Sequence, residues 1–551
     1  MADNSDMADL LFKDITLTPE DYEERYPKRN VKDGAVVTRF APSPTGFLHF
    51  GGLFAGFIGK TAAAASDGIF YLRIEDTDKK REVENGAELI IEGLKEYGIE
   101  FDEGVVSSTE DKGDYAPYTQ SKRTEIYQAY VKRLVEEGRA YPCFMTEEEI
   151  AEVRKKQEEE KLLPGIYGKY AKYSGITADE AKRLIGEGKE YVIRLKSPGV
   201  PGGRIKFKDL IKGEIEMDEN ILDVVLLKKD GTPTYHFAHA VDDHLMRTTH
   251  VIRGDEWLSS VPIHLQLFRV CGFKPVKYAH ISPIMKTENG GKRKLSKRKD
   301  PEMAMSFYNE AGYPVGAVWE YLMTLANSNY EEWRACNKTA PITDFKFTFA
   351  KMNKAGALFD MVKLNDISKN YISLLSAEEV FDLAAQWAKT YDEELYSLLA
   401  QDEEYAISIF AIDRGGKKPR KDIAKWSDVK DYIEYFYTEL WDGKRDFAQT
   451  LSNADKTQIL EAYKKVYSED TTAEEWFPQI KEMAVELGYA SSPKEYKASP
   501  DSFKGHTGDV AGVIRAAITG RQNTPDLYEI MQVLGAEETI KRIDEAIKIL
   551  K

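Results

Sequence analysis

Thr38 to Gly52 reads TRFAPSPTGFLHFGG, and the fold turns on this stretch. Ala35, Val36, Val37 and Phe40 form an extended apolar run that breaks at Pro42 and Pro44, since proline brings no N–H to a strand ladder. The chain then turns through Thr45 and Gly46 and enters a helical stretch, Leu48 to Ala65. A strand, a Pro/Gly turn and a helix N-terminus make an anion site. Backbone N–H groups and the helix dipole point at phosphate, and Gly51 and Gly52 let a ligand approach closely. His49 is expected in the first helical turn, donating a hydrogen bond to a phosphate oxygen.

Far along the chain, Lys292 to Lys299 reads KRKLSKRK. Lys294 and Lys297 flank Leu295 and Ser296, mobile cations suited to charge developing on a leaving pyrophosphate. Taken singly, each segment has a plainer explanation: an ordinary turn, and a solvated basic loop. Together and in this order they resemble the two nucleotide-binding signatures of class I aminoacyl-tRNA synthetases. HFGG stands at the HIGH position and KLSKR at the KMSKS position. APSPTG before the first, with KLSKR as the second, resembles the bacterial-type glutamyl-tRNA synthetases.

The resemblance extends through Tyr71–Asp78 (YLRIEDTD), Gly98–Gly104 (GIEFDEG), Tyr118–Tyr127 (YTQSKRTEIY), Thr234–Ser259 and Arg515–Gly535. It implies an α/β fold: a split Rossmann-like catalytic domain with an inserted acceptor-binding domain, then stem-contact and all-α anticodon-binding domains. The expected divisions are an N-terminal extension, 1–33; the catalytic domain, 34–117 and 220–285; the connective insertion, 118–219; a stem-contact domain with the KLSKR loop, 286–372; and the helical domain, 373–551. The texture agrees. Strand and helix alternate to about Gly104, a short β-like stretch runs from Tyr191 to Val200, strand patterning returns at Ile221–Leu227 where the nucleotide fold resumes, and after the KLSKR segment the chain is almost wholly helical.

Composition excludes other classes. At 551 residues the chain has room for about three or four domains. No stretch nears 18 uninterrupted apolar residues, so no membrane span is expected. The first thirty residues carry eight acidic and four basic side chains and no apolar run, unlike a signal or transit peptide. Cys143, Cys271 and Cys336 lie far apart, which implies no disulfide framework and fits a reducing cytoplasm. The net charge of −16 runs against a naive expectation for an RNA binder. Local charge decides an interface, however, and Lys292–Lys299 and Arg414–Lys421 are basic. Glu147 to Glu160 reads as a solvated helix.

The implied chemistry joins a glutamate carboxylate to the α-phosphate of ATP, with Mg2+ on the phosphates, and then passes glutamate to the 3′ end of tRNA(Glu). Positioning and charge stabilisation do most of the work in such transfers. His49, Lys294 and Lys297 are the expected catalytic residues, and Thr45, Gly46, His49, Gly51, Gly52, Ser296 and Lys297 the ATP contacts. A glutamate pocket needs cations for two carboxylates and an acceptor for the ammonium. Positions matching the family's supply Arg39, Ala41, Ser43, Glu75, Tyr235, His239, Arg253 and Trp257. Arg39 and Arg253 would fork onto carboxylates and Glu75 would pair with the ammonium.

Several residues depart from the family wording. His239 stands where asparagine is usual, Lys299–Asp300 replaces His–Gly after KLSKR, and HFGGLFAG replaces HVGGART. Cys143 occupies one position of a zinc-binding Cys-x-Cys found in some relatives, but Met145 occupies the other, so no structural zinc is expected. Six of the eight histidines fall between His236 and His280 and are read as pocket or core residues. A close variant of this reading also charges tRNA(Gln). A glutaminyl enzyme fits less well, because that family reads PPEPNG at the APSPTG position. Intact His49, Lys294 and Lys297 count against a non-catalytic tRNA-binding paralogue. A monomer is the family expectation.

Overall fold

The computed structural model describes residues 2–44, 48–77, 85–296, 298–416 and 418–551. It opens with two helices, α1 (Ala2–Leu11) and α2 (Pro19–Arg25). Pro19 occupies the first turn of α2, where a missing N–H costs nothing, and Thr18 with Asp21 closes a capping box. Met7, Ala8, Phe12, Tyr22 and Tyr26 are buried in the largest apolar cluster. Arg29 grips Glu103 with two hydrogen bonds of 2.6 and 2.9 Å, and Glu23 takes both His244 and Arg247. Residues 1–33, expected as an extension, thus form part of the core.

The nucleotide-type fold begins with β1 (Val37–Phe40), α3 (Phe50–Ala64), β2 (Ile69–Leu72), α4 (Gly86–Glu96), β3 (Glu103–Val105) and β4 (Asp111–Lys112). β1, β2 and β3 run parallel in that order, and β4 closes the edge antiparallel. Helix α3 lies close on this sheet because Gly59 has no side chain: a Cβ there would stand 2.5 Å from the Phe70 ring. Gly104 is equally constrained, with φ of +127° and a hypothetical Cβ 2.3 Å from the Leu72 carbonyl oxygen.

Next come α5 (Thr124–Glu136), β5 (Ala140–Cys143), α6 (Glu147–Glu159), α7 (Ala178–Gly186), β6 (Val192–Leu195), β7 (Arg204–Asp209), β8 (Gly213–Asp218) and β9 (Val225–Leu227). α6 is the solvated helix read from its charges, started by a Thr146–Glu149 capping box. β5, β6 and β9 make a small antiparallel sheet. The chain re-enters the nucleotide fold through α8 (Tyr235–Leu245), β10 (His250–Gly254), α9 (Val261–Val270) and β11 (Lys277–Ile281). β10 and β11 are parallel, and β1 meets this second half-sheet where the Thr249 N–H donates to the Val37 carbonyl at 2.9 Å. One feature differs from the expected domain plan. The β7–β8 hairpin, placed by sequence in the 118–219 insertion, joins β11 at Tyr278–Asp209. The physical cause is Asp209, whose carboxylate accepts from the backbone N–H and the Nδ1 of His280.

A last hairpin, β12 (Met285–Glu288) and β13 (Gly291–Lys294), carries the first half of the basic motif. The first residue of the KLSKR segment, Lys294, is therefore the end of a strand.

These elements belong to one compact unit, Met1–Phe307 with Trp319–Asp360. In a second unit, Tyr308–Val318 with Met361–Lys551, the named elements among the described residues are all helices. Its helical run starts at Met361, ahead of the expected boundary at 373. It holds two apolar cores, one around Val380, Leu395 and Ile409, the other around Ile459, Ile514 and Ile543. The helix Leu527–Leu550 serves both, bent at Gly535, whose φ is +78°.

Burial of α1 and of Phe12, the residue that follows it, bears on stability. Phe12→Ala removes a buried ring from the main core and should cost the first unit about 3 kcal/mol. A urea titration followed by circular dichroism reads this as a lowered midpoint; an unchanged midpoint would detach α1 from the core.

Candidate active site

A cavity of about 490 Å3 opens at the carboxyl ends of β1, β10 and β11, where open parallel sheets bind ligands. Its walls come from five places. Arg39 to Ser43 end β1, and Glu75 and Thr77 follow β2. Tyr235, Arg253 and Trp257 come from the second half-sheet, and His49, Gly51 and Gly52 from the start of α3. Lys294 and Leu295 contribute the end of β13.

At the α3 end, His49 proves to be the N-cap and not a first-turn residue: its backbone is extended (φ −123°) and its Nδ1 accepts the Gly52 N–H at 3.1 Å. That bond assigns the proton of the neutral ring to Nε2, which leaves the imidazole a donor on its outer edge. The helix also brings the positive end of its dipole to the cavity. Lys294 is exposed, lines the cavity, and forms no ion pair among the described residues. Ser296 lies outside the cavity wall, its N–H donating to Asp300 at 2.8 Å. Thr45, Gly46 and Lys297 fall outside the described residues.

The opposite end is built on buried charge. Arg73, with no exposed surface, donates to Asp243 at 2.7 Å and to Glu75 at 2.9 Å. Arg39 donates to the same Asp243 oxygen at 3.3 Å. Behind them, Asp242 accepts from Arg123 at 2.7 Å, from Gln120 at 2.9 Å and from Tyr127 at 2.8 Å. Burial opposes the charge on Asp243, yet Arg73 and Arg39 carry its carboxyl well below the usual carboxylate range. At Glu75 burial prevails over the pull of Arg73 and Arg39, and its pKa is raised. Tyr71, Arg73 and Glu75 stand at every second position along β2 and the segment that continues it, the signal from which Arg73 was legible beside the expected Glu75.

Arg253 is fixed from behind. Its Nε donates to His280 Nε2 at 3.1 Å, Nη1 to the Tyr235 hydroxyl at 3.1 Å, and Nη2 to the Trp257 carbonyl at 3.3 Å and His264 Nδ1 at 3.2 Å. Because a guanidinium only donates, both imidazoles must accept. His280 then gives its Nδ1 proton to Asp209 at 2.7 Å, and His264 gives its Nε2 proton to His236 at 3.0 Å. Burial lowers the pKa of both rings, which keeps them neutral. Four of the five guanidinium N–H groups are thereby used, and the cation is held at the cavity wall.

His239, expected beside the substrate side chain, sits behind that wall. It is fully buried, stacked on Tyr235 with ring centroids 6.0 Å apart, and its Nε2 meets the Tyr278 hydroxyl at 3.0 Å. Its Nδ1 stands 2.8 Å from Asp243 but out of line for a hydrogen bond. Trp257 faces the cavity and packs on Tyr235 at 4.3 Å. Cys143 and Met145 pack with Tyr141 and Ile166 in a small apolar cluster. Among the described residues no group of three His, Cys, Asp or Glu is arranged to hold a metal ion.

Residues 35–366 match the family model for the catalytic domain of class I tRNA synthetases (E and Q), and residues 379–547 match an anticodon binding domain. A glutamate–tRNA ligase of Clostridium perfringens (strain 13 / Type A) is 54% identical over 541 residues, spanning 98% of this chain and 99% of that protein. The chain belongs to the glutamate–tRNA ligase family of class I tRNA synthetases. The ligase of Acetivibrio thermocellus is 47% identical over 98% of this chain and 99% of its own length. A crystal structure of a glutamate tRNA ligase from Elizabethkingia meningosepticum in complex with its amino acid superposes with a TM-score of 0.72 at 31% identity, covering 94% of this chain and 100% of that one. Within the family frame, the described members of the expected glutamate set other than His239 line one cavity.

The buried imidazole of His239 makes stability depend on pH. Burial lowers its pKa from 6.5 to about 3, so between these values the unfolded chain binds a proton that the folded chain refuses. Stability from this group is full above the unfolded value and drains as pH falls towards the folded one, by roughly 1.4 kcal/mol per unit. The urea midpoint should therefore fall from pH 7 to pH 5, and His239→Gln should flatten the slope. An equal slope in the variant would show that another group carries it.

Proposed function

We propose that the chain activates L-glutamate with ATP, releases pyrophosphate, and transfers the glutamyl group to the 3′ end of tRNA(Glu). The observation that carries this reading is the charge pattern of one cavity: Arg39 and Arg253 as cations, Glu75 as the anion, with the start of α3 and Lys294 beside them. Glutamate has two carboxylates and one ammonium, the complement of that set. Arg39 and Arg253 receive the carboxylates, and Glu75 the ammonium.

The α-phosphate of ATP rests against the N-terminus of α3. A glutamate α-carboxylate oxygen attacks that phosphorus, a P–O bond forms as the bond to pyrophosphate breaks, and the leaving group takes the electron pair. His49 Nε2–H and Lys294 stabilise the growing charge, and Lys297 is assigned the same role from sequence. Mg2+ enters with the phosphates of ATP as part of the substrate. In the second step a terminal ribose hydroxyl attacks the carbonyl of the adenylate and AMP leaves. The segments 118–219 and 373–551 are assigned to the acceptor end and the anticodon.

Charging of separate tRNA(Glu) and tRNA(Gln) transcripts with labelled glutamate, and with labelled glutamine as control, tests the reading. Glutamate on tRNA(Glu) is expected; glutamate on both would add tRNA(Gln) as a substrate. Glutamine incorporation, or no charging, would overturn it.

A further inference from the structure

Six of the eight residues from Lys292 to Lys299 are cationic. Crowded within eight residues of sequence, such charges repel one another and spread into water unless something sorts them. Asp300 follows directly, at a position where the family wording differs, and only 2% of its surface is exposed.

The contacts of Asp300 are specific. Arg293 clasps it with two hydrogen bonds, Nη1 to Oδ2 at 2.6 Å and Nη2 to Oδ1 at 2.8 Å. Lys286 Nζ reaches Oδ1 at 3.3 Å, and the Ser296 N–H donates to Oδ2 at 2.8 Å. The Asp300 N–H returns to the Ser296 carbonyl at 3.0 Å. Glu288 takes the other edge of Arg293 at 2.7 Å, and Glu302 takes Lys286 at 2.8 Å. One carboxylate therefore ties together both strands of the β12–β13 hairpin and the turn after it. It also removes Arg293 and Lys286 from competition for an anion in the cavity. Lys294, between Arg293 and the buried Leu295, receives none of these bonds and lines the cavity.

We propose that Asp300 is a positioning residue for adenylate formation: it sorts the cations of the basic hairpin, locking Arg293, Lys286 and the Ser296 backbone so that Lys294 is presented to the phosphates. This inference rests on the adenylate-forming reading given above. It assigns Asp300 no contact with substrate. Its effect passes through the hairpin, and misplacing a charge-stabilising group by about 1 Å can cost on the order of 100-fold in rate.

The test is glutamate-dependent ATP–pyrophosphate exchange with tRNA(Glu) transcript present, on wild type, Asp300→Ala, Arg293→Gln and the double variant. Asp300→Ala and Arg293→Gln should each lower kcat by about 10- to 100-fold with the KM for glutamate within about twofold. The double variant should be no slower than the worse single one, since both break the same clasp. Thermal midpoints should stay close to wild type, which separates positioning from loss of folded protein. If Asp300→Ala does not fold, Arg293→Gln alone decides. An unchanged kcat in a folded variant, a loss expressed in glutamate KM, or additive losses would overturn the proposal. A wild type with no exchange would remove the proposed function and this inference with it. An active wild type with unaffected variants would remove the role of Asp300 alone.

Discussion

The Asp243 carboxylate lies between two buried guanidinium groups, 2.7 Å from Arg73 and 3.3 Å from Arg39. Burying charge costs several kcal/mol per ion, and a pair repays that only with close geometry and further hydrogen bonds. Such a group is weak evidence for stability and better explained by what it holds in place. Here it holds both charge types of the cavity at once. Arg39 lines the cavity directly, and Arg73 transmits the constraint to Glu75 through a 2.9 Å bond. Arg253 is fixed separately by two neutral imidazoles, one of them backed by Asp209.

Both anchors arise from segments distant in sequence. Asp242 and Asp243 belong to α8, and their arginine partners come from β1, the end of β2 and the short helical turn at Gln120–Arg123. Asp209 comes from the β7–β8 hairpin. The two half-sheets and the intervening segment are thereby joined by charge as well as by apolar packing. Cation placement in the cavity depends on the fold as a whole.

Much of this was legible in the sequence. The α/β class, the split of the nucleotide fold and the helical remainder were implied by the family resemblance that the motifs carry, and the strand–helix texture agreed with it. The residues facing the cavity from β1, β2 and β10 follow the motifs that name them. Other features were hidden for physical reasons. Residues 1–33 show no family motif, and their membership of the core rests on tertiary contacts of Met7, Phe12 and Tyr22. The β7–β8 hairpin has a local pattern that does not reveal which sheet it joins. Tyr235, His239, Asp242 and Asp243 share a helix face by spacing, but only the fold shows that Tyr235 fronts the cavity while His239 stands behind it. The basic motif looked like a loop because strand β13 is a run of lysine and arginine, stabilised by Asp300 and Glu288 rather than by apolar residues.

On this reading Asp243 sets the glutamate-binding geometry. Calorimetric titration of glutamate into wild type and Asp243→Asn tests it most directly, with near-ultraviolet circular dichroism to confirm that the variant remains folded. Substitution removes the charge that aligns Arg39 and Arg73, so glutamate affinity should fall by at least about tenfold, or roughly 1.4 kcal/mol. A folded Asp243→Asn protein that binds glutamate as tightly as wild type would contradict the account.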